Sequence, residues 1–201
     1  MVQIFTLEMN KINKSFKGFS VLKNVNLMFS GGQCYGLVGA NGAGKSTLMN
    51  ILGGQILPDS GEIFINGEKV ILASPRQAKR MGIGFVHQQP QSFEALTVAE
   101  SIILDHMPRK WGVFFNRSKA VTLVQNMLSK CKINIDPLKT TSQLSLGDKH
   151  LVCIARVLLA DPQIIIFDEP TDIEQGLSGI YRIQRLDSFS KERKYFKSDL
   201  S

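Results

Sequence analysis

Gly39-Ala40-Asn41-Gly42-Ala43-Gly44-Lys45-Ser46 is the stretch on which the reading of this 201-residue chain turns. A glycine, four residues and then Gly-Lys-Ser is the spacing of a phosphate-binding loop. The apolar run Cys34 to Val38 precedes it and suits a buried strand, and Ser46 to Leu52 reads as a helix. Each residue type has a physical reason to be there. Glycines let backbone N–H groups turn inward around phosphate oxygens. The helix that follows aims its positive end at the same anion. Lys45 brings a charge to the β- and γ-phosphates, and the Ser46 hydroxyl is placed to ligate Mg²⁺. Gly39, Ala40, Asn41, Gly42, Ala43, Gly44, Lys45, Ser46 and Thr47 are therefore the candidate nucleotide contacts. The alternative is a glycine-rich strand-to-helix turn with no ligand. The agreement of motif and flanks favours phosphate.

A second stretch, Ile164-Ile165-Ile166-Phe167-Asp168-Glu169, reads as a buried apolar strand that ends in two acids. Open α/β sheets bind ligands at the C-terminal edges of their strands, which is where this strand delivers its carboxylates. Asp168 would hold Mg²⁺, directly or through water, and Glu169 would orient and deprotonate an attacking water. Alone this pattern says little, because buried strands often end in an acid. Together with the phosphate loop it points to nucleotide hydrolysis.

The segments between these two stretches change character. Ile4 to Ile12 and Val21 to Phe29 are strand-like, and Asn66-Gly67 between short apolar runs is a hairpin signal. Pro58-Asp59-Ser60-Gly61 is a turn. Ser74-Pro75 opens a short helix that Gly82 closes, and Ile83 to Val86 is another strand. From about Gln89 the pattern is helical. Thr97-Val98-Ala99-Glu100 is a capping box, and helices are expected from Ser118 to about Lys130 and from Leu146 to Leu159, where Asp161-Pro162 stops the last. A helical segment over about 90–160 is thus inserted into an α/β nucleotide-binding core.

Composition narrows the class. Hydrophobic residues make up 43% of the chain, enough for a packed core. No apolar run approaches the ~20 residues of a membrane helix, and no secretory signal opens the chain, so a cytosolic protein is expected. Cys34, Cys131 and Cys153 are odd in number and scattered, which fits reduced core thiols rather than disulfides or zinc. The net charge is +7, but the cations are dispersed and no nucleic-acid partner is expected.

Four further features resemble the ATP-binding subunits of ABC transporters. Gly82-Ile83-Gly84-Phe85-Val86-His87-Gln88 is similar to the strand entering that family's glutamine loop, and implies a place for Gln88 beside Mg²⁺ and the membrane partner. Leu144-Ser145-Leu146-Gly147-Asp148 resembles the signature loop, usually Leu-Ser-Gly-Gly-Gln. Asp168-Glu169-Pro170-Thr171 matches the run after the magnesium strand. Phe16 sits where an aromatic ring stacks on adenine. The resemblance covers residues 1 to about 172. Val86-His87-Gln88 and Leu96-Thr97-Val98-Ala99-Glu100 look most like the simple-sugar importers of the ribose and galactose type.

The resemblance implies an α/β fold of the P-loop NTPase class: a RecA-like core with an N-terminal antiparallel β subdomain and an inserted α-helical subdomain. It implies an ATP-binding domain over 1–178, incomplete at its C-terminus, followed by a divergent basic tail over 179–201. It further implies ATP hydrolysis with Mg²⁺ bound by Ser46, Gln88 and Asp168, and a catalytic pair of Glu169 and Gln88. A second ATP-binding domain would close over the nucleotide, with Ser145 and Gly147 contacting the γ-phosphate held by the other subunit. An integral membrane permease is the implied direct partner and a solute-binding protein an indirect one, which places the chain on the cytoplasmic face of the membrane. Asp148 departs from the pattern, since an acid there repels that phosphate unless it points away. After Thr171 the pattern fades, and no switch histidine follows. Two alternatives stand beside the transport reading: a hydrolysis-impaired remnant that only binds ATP, and a non-transport ABC ATPase.

Overall fold

The computed structural model describes residues 4–87, 93–106 and 117–168. They fall into two compact units. The first joins the described residues up to Val86 with Ala160–Asp168, and the second holds those between His87 and Leu159. Gln88, Glu169, Pro170, Thr171 and the tail over 179–201 lie outside the described residues.

In the first unit, β1 (Thr6–Phe16), β2 (Phe19–Ser30), β3 (Ser60–Ile65) and β4 (Glu68–Val70) form an antiparallel sheet in the order β2-β1-β3-β4. Alternation drives Leu7 and Met9 of β1 into the core, and a register shift before Ile12 returns that side chain to the same face. Lys11 adopts φ 52° at this shift, and its N–H donates to the Asn26 side chain at 2.9 Å. On β2, Asn24 adopts φ 48° and donates its N–H to the Asn13 side chain at 2.8 Å. Asparagine side chains thus satisfy backbone groups that the irregular ladder leaves over. Two hairpins close on two-residue turns with φ positive at both central positions, Lys17-Gly18 and Asn66-Gly67. The second was legible in the sequence. The first extends both strands beyond the expected Ile4 to Ile12 and Val21 to Phe29.

Helix α1 (Lys45–Leu52) buries Leu48, Ile51 and Leu52. Helix α2 (Pro75–Arg80) begins at a Ser74 cap whose side chain accepts the Gln77 N–H, with proline in its first turn. Strands β5 (Ile83–Val86) and β6 (Ile164–Phe167) pair in parallel, Ile83 opposite Ile164 and Val86 opposite Phe167. Leu7, Met9, Ile12, Ile51, Leu72, Ile83 and Ile166 belong to one core that joins sheet, helix and parallel pair.

One expected strand is corrected. Residues 33–40 form no strand, and Val38 is 94% exposed. A fully buried strand needs ladder partners on its flanks, and among the described residues β5 and β6 pair with each other and with nothing at 34–38. Tyr35 folds back instead. Its ring meets Phe29 edge-on at 5.1 Å, its hydroxyl accepts the Ser30 N–H, and it donates to the Gln33 side chain, both at 2.9 Å. Cys34 is exposed in this stretch rather than part of the core. Strand β6 is also less buried than expected, with Ile166 alone fully inside.

The second unit is helical. Helix α3 (Val98–Ile103) runs into a 3₁₀ turn at Leu104–His106, and α4 (Arg117–Lys130) and α5 (Leu146–Leu159) complete it. Val98, Ile102, Val124, Leu128, Val152 and Ala155 form its core. The capping box is present: the Thr97 N–H donates to Glu100 Oε2 at 2.9 Å, and the Glu100 N–H donates to Thr97 Oγ1 at 3.2 Å. The Thr97 N–H, with the Thr97 hydroxyl, holds the Glu100 carboxyl below its usual range, and the two bonds satisfy two of the helix's orphan donors, a cap of about 1 kcal/mol. The guanidinium of Arg156 on α5 donates to Ser101 Oγ at 2.7 Å and lies 5.3 Å over the Phe93 ring, tying α5 to α3 and to the segment before it.

Candidate nucleotide-binding site

The loop from Gly39 to Ala43 is exposed on the first unit, and Gly44 at its end is buried. The Ala43 N–H donates to the Ala40 carbonyl at 3.1 Å, closing the loop on itself. Gly42 and Gly44 adopt φ 81° and 90°, a left-handed region that penalises other residues. Gly44 caps α1 with no side-chain bond, and the first turn of α1 carries no acid. The first turn of α1 thus has neither a side-chain cap nor an acid of its own on its N–H groups, the arrangement that favours an anion at a helix start. The Lys45 ammonium folds back over the loop and donates to the carbonyls of Gly39 and Ala40 at 2.7 and 3.0 Å. Ser46 is exposed, and Thr47 half-buried, on the next positions of α1.

Two other expected residues belong to the same unit. Asp168 follows β6, half-buried, and its N–H donates to the Val86 carbonyl at 3.1 Å, continuing the parallel ladder by one step. Phe16 ends β1 and is 43% exposed.

Ser145 and Gly147 lie in the second unit, at the start of α5. The Ser145 hydroxyl donates to Asp148 Oδ2 at 2.8 Å and accepts the Asp148 N–H at 3.1 Å. The Asp148 carboxylate therefore turns toward the signature serine and not away from it. Its neighbour Lys149 pairs with Glu94 at 3.7 Å.

Sequence reading missed Lys14 and Asp59. The Lys14 ammonium sits 2.6 Å from Asp59 Oδ1 and 5.5 Å from the centre of the Phe16 ring. Asp59 read only as a turn residue, and no local spacing links it to Lys14, 45 positions away.

Comparison with known proteins settles the class. The sequence model of the ABC transporter family matches residues 22–172, and this chain belongs to that family, whose ATP-binding domains are ATPases. It is 38% identical over 170 residues to the ribose import ATP-binding protein RbsA of Rhodococcus jostii, an alignment covering 85% of this chain and 34% of that protein. It is 40% identical over 169 residues to the guanosine import ATP-binding protein NupO of Bacillus subtilis, covering 84% and 33%. With the arabinose import ATP-binding protein AraG of Ralstonia nicotianae it shares 37% over 165 residues, covering 82% and 32%. The chain thus spans about a third of the length of these relatives. Among solved structures, cbiO1 of Clostridium perfringens, part of the ABC transporter complex cbiONQ, superposes with a TM-score of 0.74 at 28% identity, covering 89% of this chain and 73% of that one. The ADP conformation of MJ1267, an ATP-binding cassette of an ABC transporter, gives 0.77 at 23% identity, a likeness of fold. Among the described residues no helix is long and apolar enough to cross a membrane.

Proposed function

We propose that this chain is the ATP-binding subunit of an importer and couples ATP binding and hydrolysis to the passage of a solute, a sugar by class, through a membrane permease. The observation that carries the nucleotide is the closed loop at Gly39–Gly44 with the Lys45 ammonium drawn over it. The sugar class is supported by the ribose and arabinose import functions of two of the relatives. Ser46, Gln88 and Asp168 are the oxygen donors proposed for Mg²⁺. Among the described residues no group of three or more His, Cys, Asp or Glu is arranged to hold a metal. Mg²⁺ is held through one or two carboxylates and completes its shell with phosphate and water, so one carboxylate with a hydroxyl and an amide oxygen suits it. Bound there, Mg²⁺ would neutralise charge on the β- and γ-phosphate oxygens. Glu169 is proposed to orient and deprotonate the attacking water, and Gln88 to link the nucleotide to the permease. A second ATP-binding domain is the proposed partner across the nucleotide, a solute-binding protein an indirect one, and the cytoplasmic membrane surface the place of work.

Two measurements test this reading. Phosphate release by the purified chain should exceed that of Glu169→Gln; release at the variant's level would favour ATP binding without turnover. One observation favours that second reading. The Ser145 hydroxyl is already engaged by the Asp148 carboxylate, which sets a negative charge where a partner's γ-phosphate is to be received. For the partner, a photo-cross-linker at the exposed Glu94 or Ala95 should capture an integral membrane protein from membranes. Capture of ribosomal proteins alone would overturn the permease assignment.

A further inference from the structure

Strand β1 runs past its neighbour. Its pairing with β3 stops at Asn13 opposite Ser60, while its pairing with β2 continues to Phe16 opposite Phe19, with register shifts at Lys14 and Ser15. The last residues of β1, Phe16 among them, therefore have no strand on the β3 side, and the shifts on the β2 side loosen the definition of register. Asp59, the residue before β3, fills that gap. Its N–H donates to the Asn13 carbonyl at 2.9 Å, its Oδ2 accepts the Ser15 N–H at 2.7 Å, and its Oδ1 takes the Lys14 ammonium at 2.6 Å. One side chain with its own amide thus holds three consecutive residues, and the fourth is Phe16. The held ammonium lies 5.5 Å from the centre of the Phe16 ring, within cation–π range.

We propose that Asp59 and Lys14 are positioning residues for the nucleotide base: Asp59 clamps the end of β1, and through Lys14 fixes the Phe16 ring against which adenine stacks. The proposal rests on the reading of Phe16 as the adenine contact. The chemistry favours a purine in two ways. A ring steadied on one face loses less freedom when a base settles on another. The ammonium also draws π-density toward itself, which lessens repulsion between the far face and an electron-rich base. The Lys14 ammonium and the Ser15 N–H hold the Asp59 carboxyl below the usual carboxylate range, so the clamp stays charged at neutral pH and is lost only as pH falls through that lowered value.

The test uses the full chain and compares ATP with inorganic tripolyphosphate, which carries the phosphates without a base. Asp59→Ala and Lys14→Met should each weaken ATP by about fivefold and leave tripolyphosphate unchanged, and Lys14→Arg should restore ATP binding. Phe16→Ala should weaken ATP by about fivefold to a hundredfold. If Phe16→Ala leaves ATP affinity unchanged, the adenine reading fails and the clamp with it. If Phe16→Ala weakens ATP while Asp59→Ala and Lys14→Met do not, the clamp alone is overturned. Equal loss for ATP and tripolyphosphate in both clamp variants also overturns it, since the damage would then be general to the unit and not specific to the base.

Discussion

Lys45→Ala is expected to weaken ATP binding by about tenfold or more, the loss that follows from removing a charge-assisted contact of about 1.5–3 kcal/mol. The ammonium is not free to wander. Two loop carbonyls hold it over the cradle at 2.7 and 3.0 Å, so the charge is in place before the nucleotide arrives and little ordering is required on binding. Alanine removes the charge and leaves the loop's own Ala43-to-Ala40 bond intact, so the loss should appear in affinity and not in folding. Titration calorimetry with ATP on both proteins measures it, and equal affinities would remove this loop from nucleotide binding.

Gly44→Ala is expected to destabilise the first unit by about 2–5 kcal/mol, from about 1–2 for a side chain in the left-handed region and about 1–3 for overpacking. Gly44 sits at φ 90°, and a Cβ there would lie 2.8 Å from Leu22 Cδ2 and 3.1 Å from the Val21 carbonyl oxygen. The methyl group has nowhere to go without moving β2 or the first turn of α1. Gly42→Ala is the matched control. It shares the positive φ, but a Cβ there meets nothing within 4 Å, so only the conformational part should remain. Urea denaturation of both variants separates the two contributions. Equal midpoints would mean that crowding by Leu22 and Val21 plays no part.

These two residues also mark what a sequence reader can and cannot see. Local chemistry was legible. Thr97 and Glu100 are three residues apart and form their capping box, Asn66-Gly67 turns as that pair usually does, and α5 begins at Leu146 and ends at Leu159 as its apolar period requires. The glycine-lysine-serine loop was legible for the same reason, since its geometry is set by adjacent residues. What depended on distant partners was not. Cys34 to Val38 has the composition of a core strand, yet composition cannot supply the neighbour that makes a strand, and Val38 stands in solvent. Lys17-Gly18 escaped notice because lysine seldom takes a positive φ, and here it does so at 48°. Asp59 looked like any turn aspartate until the chain brought Lys14 beside it. The direction of the Asp148 carboxylate, toward Ser145, was a rotamer choice that no spacing encodes.

The parallel pairing of β5 with β6 joins Ile83 to Ile164 and Val86 to Phe167, and so the described residues of the first unit lie on both sides, along the chain, of the described residues of the second. During synthesis the ribosome delivers β5 and then the whole stretch from His87 to Leu159 before the first residue of β6 exists. Among the described residues the helical core draws on that stretch alone, and it can pack while the parallel ladder still lacks β6. A nascent chain stalled short of Ile164 therefore carries β5 with its hydrogen-bonding edge toward β6 unclaimed, a surface on which a trigger-type chaperone or a neighbouring nascent chain has its opening.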